Sequence, residues 1–138
     1  MNPVHRLFQP AFLGSLRAPN RFVASAAWLG GADPQGTLSP LLAGRYEAYA
    51  AGEVGTVIPG GAFVCPEGRL LPGQWGLHRD EGEADVAGLA ERVHRHGALL
   101  VVQLAHGGFL RRPALGDGAT RGPSEGADPL WGRRIHPL

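Results

Sequence analysis

Gln103 and His106 stand directly after an apolar run, residues 98–102, that carries no polar alternation. A primary amide at the end of a buried strand presents a donor and an acceptor in fixed geometry, suited to the imide edge of a planar heterocycle; the same amide serves equally to cap a loop. His106 can act as general acid, hydrogen-bond donor or ligand, although a histidine beside Gly107-Gly108 also holds a loop in place. Gly60-Gly61 lets backbone approach a flat ligand closely or simply makes a turn. Cys65 precedes Pro66 without a basic or histidine neighbour in sequence, which favours an inert thiol over a nucleophile. His94 and His96 lie two apart on a predicted helix and face different sides, and no cysteine is near enough in sequence to complete a zinc pattern. No metal site and no nucleophile-plus-base signature is expected, so the catalytic residues are unassigned.

These residues need a scaffold, and the apolar run supplies its first element. A strand without alternation is covered on both faces, as in a parallel sheet, whose ligands sit beyond the carboxyl ends of the strands. Two similar units precede it. A strand over 21–26 leads through a loop of about a dozen residues to a helix with Ser39 as N-cap, Pro40 at its first position, Leu42, Tyr46, Tyr49 and Ala50 on its apolar face, and Gly52 at its end. A strand over 54–59 and a long connection over 60–80 lead to a second helix over 81–96. It has Asp80 as N-cap, Glu83 in a capping-box position, and an inward stripe of Val86, Leu89, Ala90 and Val93 closed by Gly97. The third strand spans 98–104. Long strand-to-helix loops and short helix-to-strand turns place the functional loops at one carboxyl edge. Ahead of this unit, residues 5–19 read as a hairpin around Gly14-Ser15, whose Leu7, Phe8, Phe12, Leu13 and Leu16 plug the bottom of a sheet or barrel. Residues 109–138 show no periodic run and read as a loop.

Composition narrows the function. The 138 residues are 43% hydrophobic and 18% charged, a globular balance for at most one domain. The 13 basic residues, all arginine, nearly cancel the 12 acidic ones to leave a net charge of +1, which makes no case for nucleic acid. Arg111-Arg112 and Arg133-Arg134, the only basic doublets, read as solvated loop arginines over the alternative of a phosphate-binding patch, since neither is interleaved with aromatics or placed on a helix. The chain has no lysine for a phosphate-binding P-loop and no Gly-x-Gly-x-x-Gly run. A single cysteine excludes an internal disulfide and fits a cytoplasmic protein, and no apolar stretch reads as a membrane span.

Leu7-Phe8-x-Pro10, Leu13-Gly14, Asn20-Arg21, Gly55 through Gly61, Pro66-x-Gly68-Arg69, Val93-His94-x-x-Gly97 and Gln103-Leu104-Ala105-His106-x-Gly108, in this order and spacing, resemble the N-terminal part of the old yellow enzyme family. The resemblance implies an α/β fold, a partial TIM (β/α)8 barrel made of the N-terminal hairpin, the first three parallel strands and two helices. It implies FMN as cofactor, NAD(P)H as electron donor and hydride transfer through the flavin to an activated C=C or similar acceptor in a small-molecule substrate. By this resemblance Ser25, Ala26, Ala27 and Trp28 lie by the flavin ring, Gly61 contacts it, and Gln103 hydrogen-bonds its pyrimidine edge. The family carries Pro-Met and then Cys or Thr where this chain has Ala26-Ala27-Trp28, and Arg where Phe109 stands.

A TIM barrel takes roughly 250 residues, so residues 1–138 are expected to form a single incomplete domain with about three of its eight strands: a hairpin over 5–19, a βαβαβ unit over 20–108, and a loop and truncated end over 109–138. The family's substrate-binding and phosphate-binding residues come from later strands, so the isolated chain is expected to bind FMN weakly or not at all. Two other readings stay open, a divergent remnant that kept the sheet and lost the chemistry, and an interaction module that pairs or self-associates through its unpaired strand edges.

Overall fold

The computed structural model describes residues 3–116 and 120–137. A short helix α1 (Pro3–Leu7) precedes an antiparallel hairpin of β1 (Ala11–Leu13) and β2 (Leu16–Ala18), in which Leu13 faces Leu16 across the two-residue Gly14-Ser15 turn. Gly14 takes φ +61°, the left-handed conformation that two-residue hairpins require. The main sheet follows. β3 (Val23–Ala24), β4 (Thr56–Val57) and β6 (Leu99–Leu100) are parallel, with β4 in the middle. The expected parallel order of the three strands is thus found. Bonds beyond the ladder, from Ile58 N–H to the Ala24 carbonyl (2.9 Å) and from Val101 N–H to the Val57 carbonyl (3.0 Å), carry the pairing toward the carboxyl edge.

The helices form where capping and apolar spacing put them. α2 (Pro40–Ala51) starts at Ser39, whose hydroxyl accepts from Leu42 N–H at 3.2 Å, and Pro40 occupies the first turn, where a missing N–H costs nothing. α3 (Glu81–His94) packs on α2, and Glu47 ties the pair by accepting from Arg92 at 2.9 Å and facing His96 at 3.5 Å. Leu42, Tyr46 and Ala50 of α2 and Leu89 and Val93 of α3 meet Val57, Ala62, Trp75 and Ala98 in one core. Each fully buried aliphatic side chain there contributes about 1.5 to 3 kcal/mol.

Several expectations are corrected. Tyr49 is exposed, because it lies on the solvent side of α2. Asp80 makes no capping bond: it is itself helical (φ −62°, ψ −31°), and the first turn closes through backbone bonds from Gly82 to Arg79 and from Glu83 to Asp80, both 3.0 Å. The apolar strand is not covered on both faces; β6 is the edge of the sheet, and Val101 is exposed. The hairpin side chains are not buried either, Phe12 being 69% exposed, since three strands make too short a wall to receive them. The connection over 60–80 holds β5 (Ala62–Phe63) and a 3-10 turn (Pro66–Gly68), and β5 pairs in parallel with β7 (Leu104–Ala105). Finally, the region read as a C-terminal loop contains a sheet of β8 (Thr120–Gly122), β9 (Gly126–Ala127) and β10 (Arg134–Pro137) in the order β8-β10-β9. Strands of two to four residues between glycines and prolines leave no alternation to read.

Candidate functional site

The exits of β3, β4 and β6 converge. Residues 25–28 follow β3, residues 58–61 follow β4 and residues 101–103 follow β6 at the same carboxyl edge. Gly60 lies against the first exit, where a Cβ on it would stand 2.5 Å from the Ala27 carbonyl oxygen and 3.4 Å from Cα of Trp28. Gly61 lies against the third, where a Cβ would stand 3.1 Å from Oε1 of Gln103 and 2.9 Å from Cβ of Ala105. The backbone seals that contact, with Ala62 N–H donating to the Gln103 carbonyl at 2.8 Å. Ala27, Trp28, Gly61 and Gln103 are thereby gathered, and Ser25 and Ala26 share their edge.

The Gln103 side chain is exposed and its amide has no hydrogen-bond partner among the described residues. An unused donor and acceptor beside a glycine with no side chain is the arrangement an edge-on heterocycle needs. The Trp28 indole is 56% exposed and lies over Gly30, its ring 3.4 Å from where a Cβ would stand. Gly30 has φ +66°, a conformation that favours glycine.

Two residues missed by sequence reasoning hold the glycines. Tyr46, buried on α2, accepts a hydrogen bond from Gly60 N–H at 3.1 Å. Gln74, 7% exposed, donates to the Gly61 carbonyl at 2.7 Å while its Oε1 accepts from Leu70 N–H (2.8 Å) and Leu71 N–H (3.2 Å). Its only sequence signal is an amide and an indole, Gln74-Trp75, enclosed between Gly73 and Gly76. His106 turns out to hold a loop, its Nδ1 accepting from Gly108 N–H at 3.1 Å. Among the described residues no group of three or more His, Cys, Asp or Glu is placed to hold a metal ion.

The reading of Arg111 as a solvated arginine is corrected: it is 8% exposed and donates to the carbonyls of Gly116 (2.9 Å) and Leu115 (2.8 Å). It helps line a cavity of about 290 Å³ with Arg69, His78 and Arg79. Phe63 is the aromatic floor, stacked on His78 with ring centroids 4.7 Å apart and lying under Arg69 at 5.4 Å.

A parallel sheet backed by helices, with glycines and a free amide collected at its carboxyl edge, defines an α/β protein whose candidate site lies at the strand ends. The sequence profile of the NADH:flavin oxidoreductase / NADH oxidase family matches residues 6–128, and the chain belongs to that family. It is 35% identical over 121 residues to an NADPH dehydrogenase of Halalkalibacterium halodurans, an alignment that covers 87% of this chain and 35% of the relative. Among solved structures it resembles morphinone reductase in complex with tetrahydroNAD (TM-score 0.78, 26% identity, 90% of this chain and 34% of the other). It shares its fold with the old yellow enzyme homologue of Zymomonas mobilis (TM-score 0.81, 24% identity, 92% of this chain and 35% of the other). The chain thus spans about a third of the length of these relatives. No helix among the described residues is long and apolar enough to cross a membrane.

Proposed function

We propose that residues 1–138 form the N-terminal part of an FMN-dependent NAD(P)H oxidoreductase, a partial (β/α)8 barrel that supplies the ring-facing wall of a flavin site. The observation that carries this reading is the free Gln103 amide beside the bare Cα of Gly61 at the carboxyl edge of the parallel sheet. Gln103 would read the pyrimidine edge of the flavin, Gly61 would admit the ring, and residues 25–28 would line it. When bound, the flavin supplies hydride transfer from NAD(P)H to an activated C=C or similar acceptor of a small molecule. Gln74 and Tyr46 hold the two glycines in place for that contact. Trp28 brings an indole to a position where the family has a small side chain, which favours stacking on the ring or narrowing its space.

The isolated chain is proposed to bind FMN weakly. One or two hydrogen bonds of about 1 kcal/mol each from Gln103 do not offset the several kcal/mol lost on immobilising a ligand, and the family holds the phosphate in later strands. The test has two arms. FMN added to the 138-residue chain is removed by dialysis, whereas a chimera joining residues 1–108 to the remaining strands of the H. halodurans NADPH dehydrogenase retains stoichiometric yellow flavin. Gln103→Leu in the chimera lowers that retention. A folded chimera without flavin, or one indifferent to Gln103→Leu, rejects the assignment.

The exposed Phe12, Leu13, Leu16 and Leu104, with the open edges of β3 and β6, support a second reading, self-association or pairing through the unpaired sheet. Light scattering that shows a stable oligomer of the chain favours it. The lone cysteine, which fits a reducing compartment, supports a cytoplasmic setting.

A further inference from the structure

Arg69, Arg79 and Arg111 reach one cavity from three different segments, and each is held by neutral groups. Arg69 donates to the carbonyls of Leu71 (3.2 Å), Pro34 (2.5 Å) and Asp33 (3.5 Å), Arg79 to the Thr37 hydroxyl (2.9 Å), and Arg111 to the carbonyls of Gly116 and Leu115. None of the three forms an ion pair with a carboxylate among the described residues. The Nε atoms of Arg79 and Arg111 and the Nδ1 of His78 are buried without a hydrogen-bond partner. The nearest acids act from outside the lining. Asp33 is within electrostatic reach of Arg69 but accepts from Thr37 N–H at 2.8 Å, and Glu81 influences His78. Behind Arg111 stands another cation, Arg133, which donates to the Arg111 carbonyl and faces Asp128 at 3.6 Å.

Charge gathered this way and left without a counter-ion is costly, and an oxyanion removes the cost by accepting several charge-assisted hydrogen bonds at once. We propose that the cavity lined by Arg69, His78, Arg79 and Arg111 over Phe63 is an anion site for the phosphate group of a small molecule. Three guanidinium groups without a lining carboxylate suit a doubly charged group better than a carboxylate. The apolar floor of Phe63, Pro34 and Leu115 takes an organic portion. Burial, followed by the charges of Arg79 and Arg69, holds His78 below its ordinary range, so the imidazole stands neutral there until an anion favours its protonation.

The experiment is calorimetric titration of the 138-residue chain with inorganic phosphate at constant ionic strength. Arg79→Gln is expected to weaken saturable binding about tenfold, the effect of losing one charge-assisted hydrogen bond. Arg45→Gln, which removes the same charge from the exposed face of α2, leaves it within about twofold, as expected for a screened distant charge. Thr37→Val breaks the tether of Arg79 together with the hydroxyl's bond to Asp33, leaves the Arg79 charge in place, and has a smaller effect than Arg79→Gln. Circular dichroism checks that each variant keeps the parent fold, and His78→Gln replaces Arg79→Gln if the latter does not. Absence of saturable phosphate binding overturns the proposal, as does an equal loss in Arg45→Gln or in Thr37→Val.

Discussion

Gly60 and Ala27 touch backbone to backbone: a methyl group on Gly60 would stand 2.5 Å from the Ala27 carbonyl oxygen. The obstacle is main chain in the exit of a paired strand, so it cannot swing aside as a flexible side chain would. Gly60→Ala is therefore expected to destabilise the chain by about 1 to 3 kcal/mol, the cost of forcing extra volume into a packed site. Urea denaturation measures it, and an unchanged midpoint would show that the two exits are not in contact.

Tyr46→Phe removes the hydroxyl that accepts from Gly60 N–H while keeping the buried ring. The N–H then loses its partner, at a cost of about 1 to 2 kcal/mol. Hydrogen exchange at the Gly60 amide should quicken in step with the lost stability. Slow exchange in the variant would assign the protection to burial alone.

Asp85 joins a loop to the core through one oxygen, which accepts from Leu38 N–H at 2.9 Å and from the Trp75 indole N–H at 3.3 Å. Asp85→Ala leaves both donors unpaired and is expected to cost about 2 to 4 kcal/mol, since each bond to a charged acceptor is worth more than a neutral one. Thermal unfolding followed through tryptophan fluorescence should report a lower midpoint and altered emission of the native state.

Acid should lower the protein's stability in two steps. Burial and the charges of Arg79 and Arg69 depress His78 from its ordinary 6.5, so the unfolded chain takes up that proton first. Its contribution is present above pH 6.5 and is lost as pH falls through the lower folded value. The carboxylates act next. Glu47 is depressed chiefly by its bond from Arg92, against burial and with help from His96, and Asp128 is depressed because N–H groups of Trp131, Leu130 and Arg133 outweigh its burial. Their contributions are full above the usual carboxylate range and vanish as pH drops through their folded values. Denaturation midpoints against pH, in phosphate-free buffer, should show the first decline in the parent and not in His78→Gln.

The alternation of apolar strands with capped helices was legible because it is local. Ser39-Pro40 announces a helix start, Gly14-Ser15 announces a hairpin, and an apolar run after Gly97 announces a strand, each within a few residues of chain. Parallel order follows from the short helix-to-strand turns, and the carboxyl edge follows from the order, so sequence order alone brings Gly61 and Gln103 to one edge. Whether the apolar run was covered on both faces was not local: it depended on which strand ended at the sheet edge.

The C-terminal sheet escaped for a different reason, since strands this short have no period, and their pairing of residues 120–122 with 134–137 is a tertiary event. The same holds for the supports of the site. Gln74 reaches Gly61 across 13 positions and Tyr46 reaches Gly60 across 14, and in the separate cavity Arg79 reaches Thr37 across 42. Hydrogen bonds of that kind carry no spacing rule, because the side chain's reach is a distance in space while the sequence records only separation along the chain. Local propensity and periodicity therefore determined the two long helices, the three parallel strands between which they lie, their order and the edge that gathers the candidate site. Packing alone decided that the Gln74 amide and the Tyr46 hydroxyl would meet Gly61 and Gly60, and that three arginines would line one separate cavity.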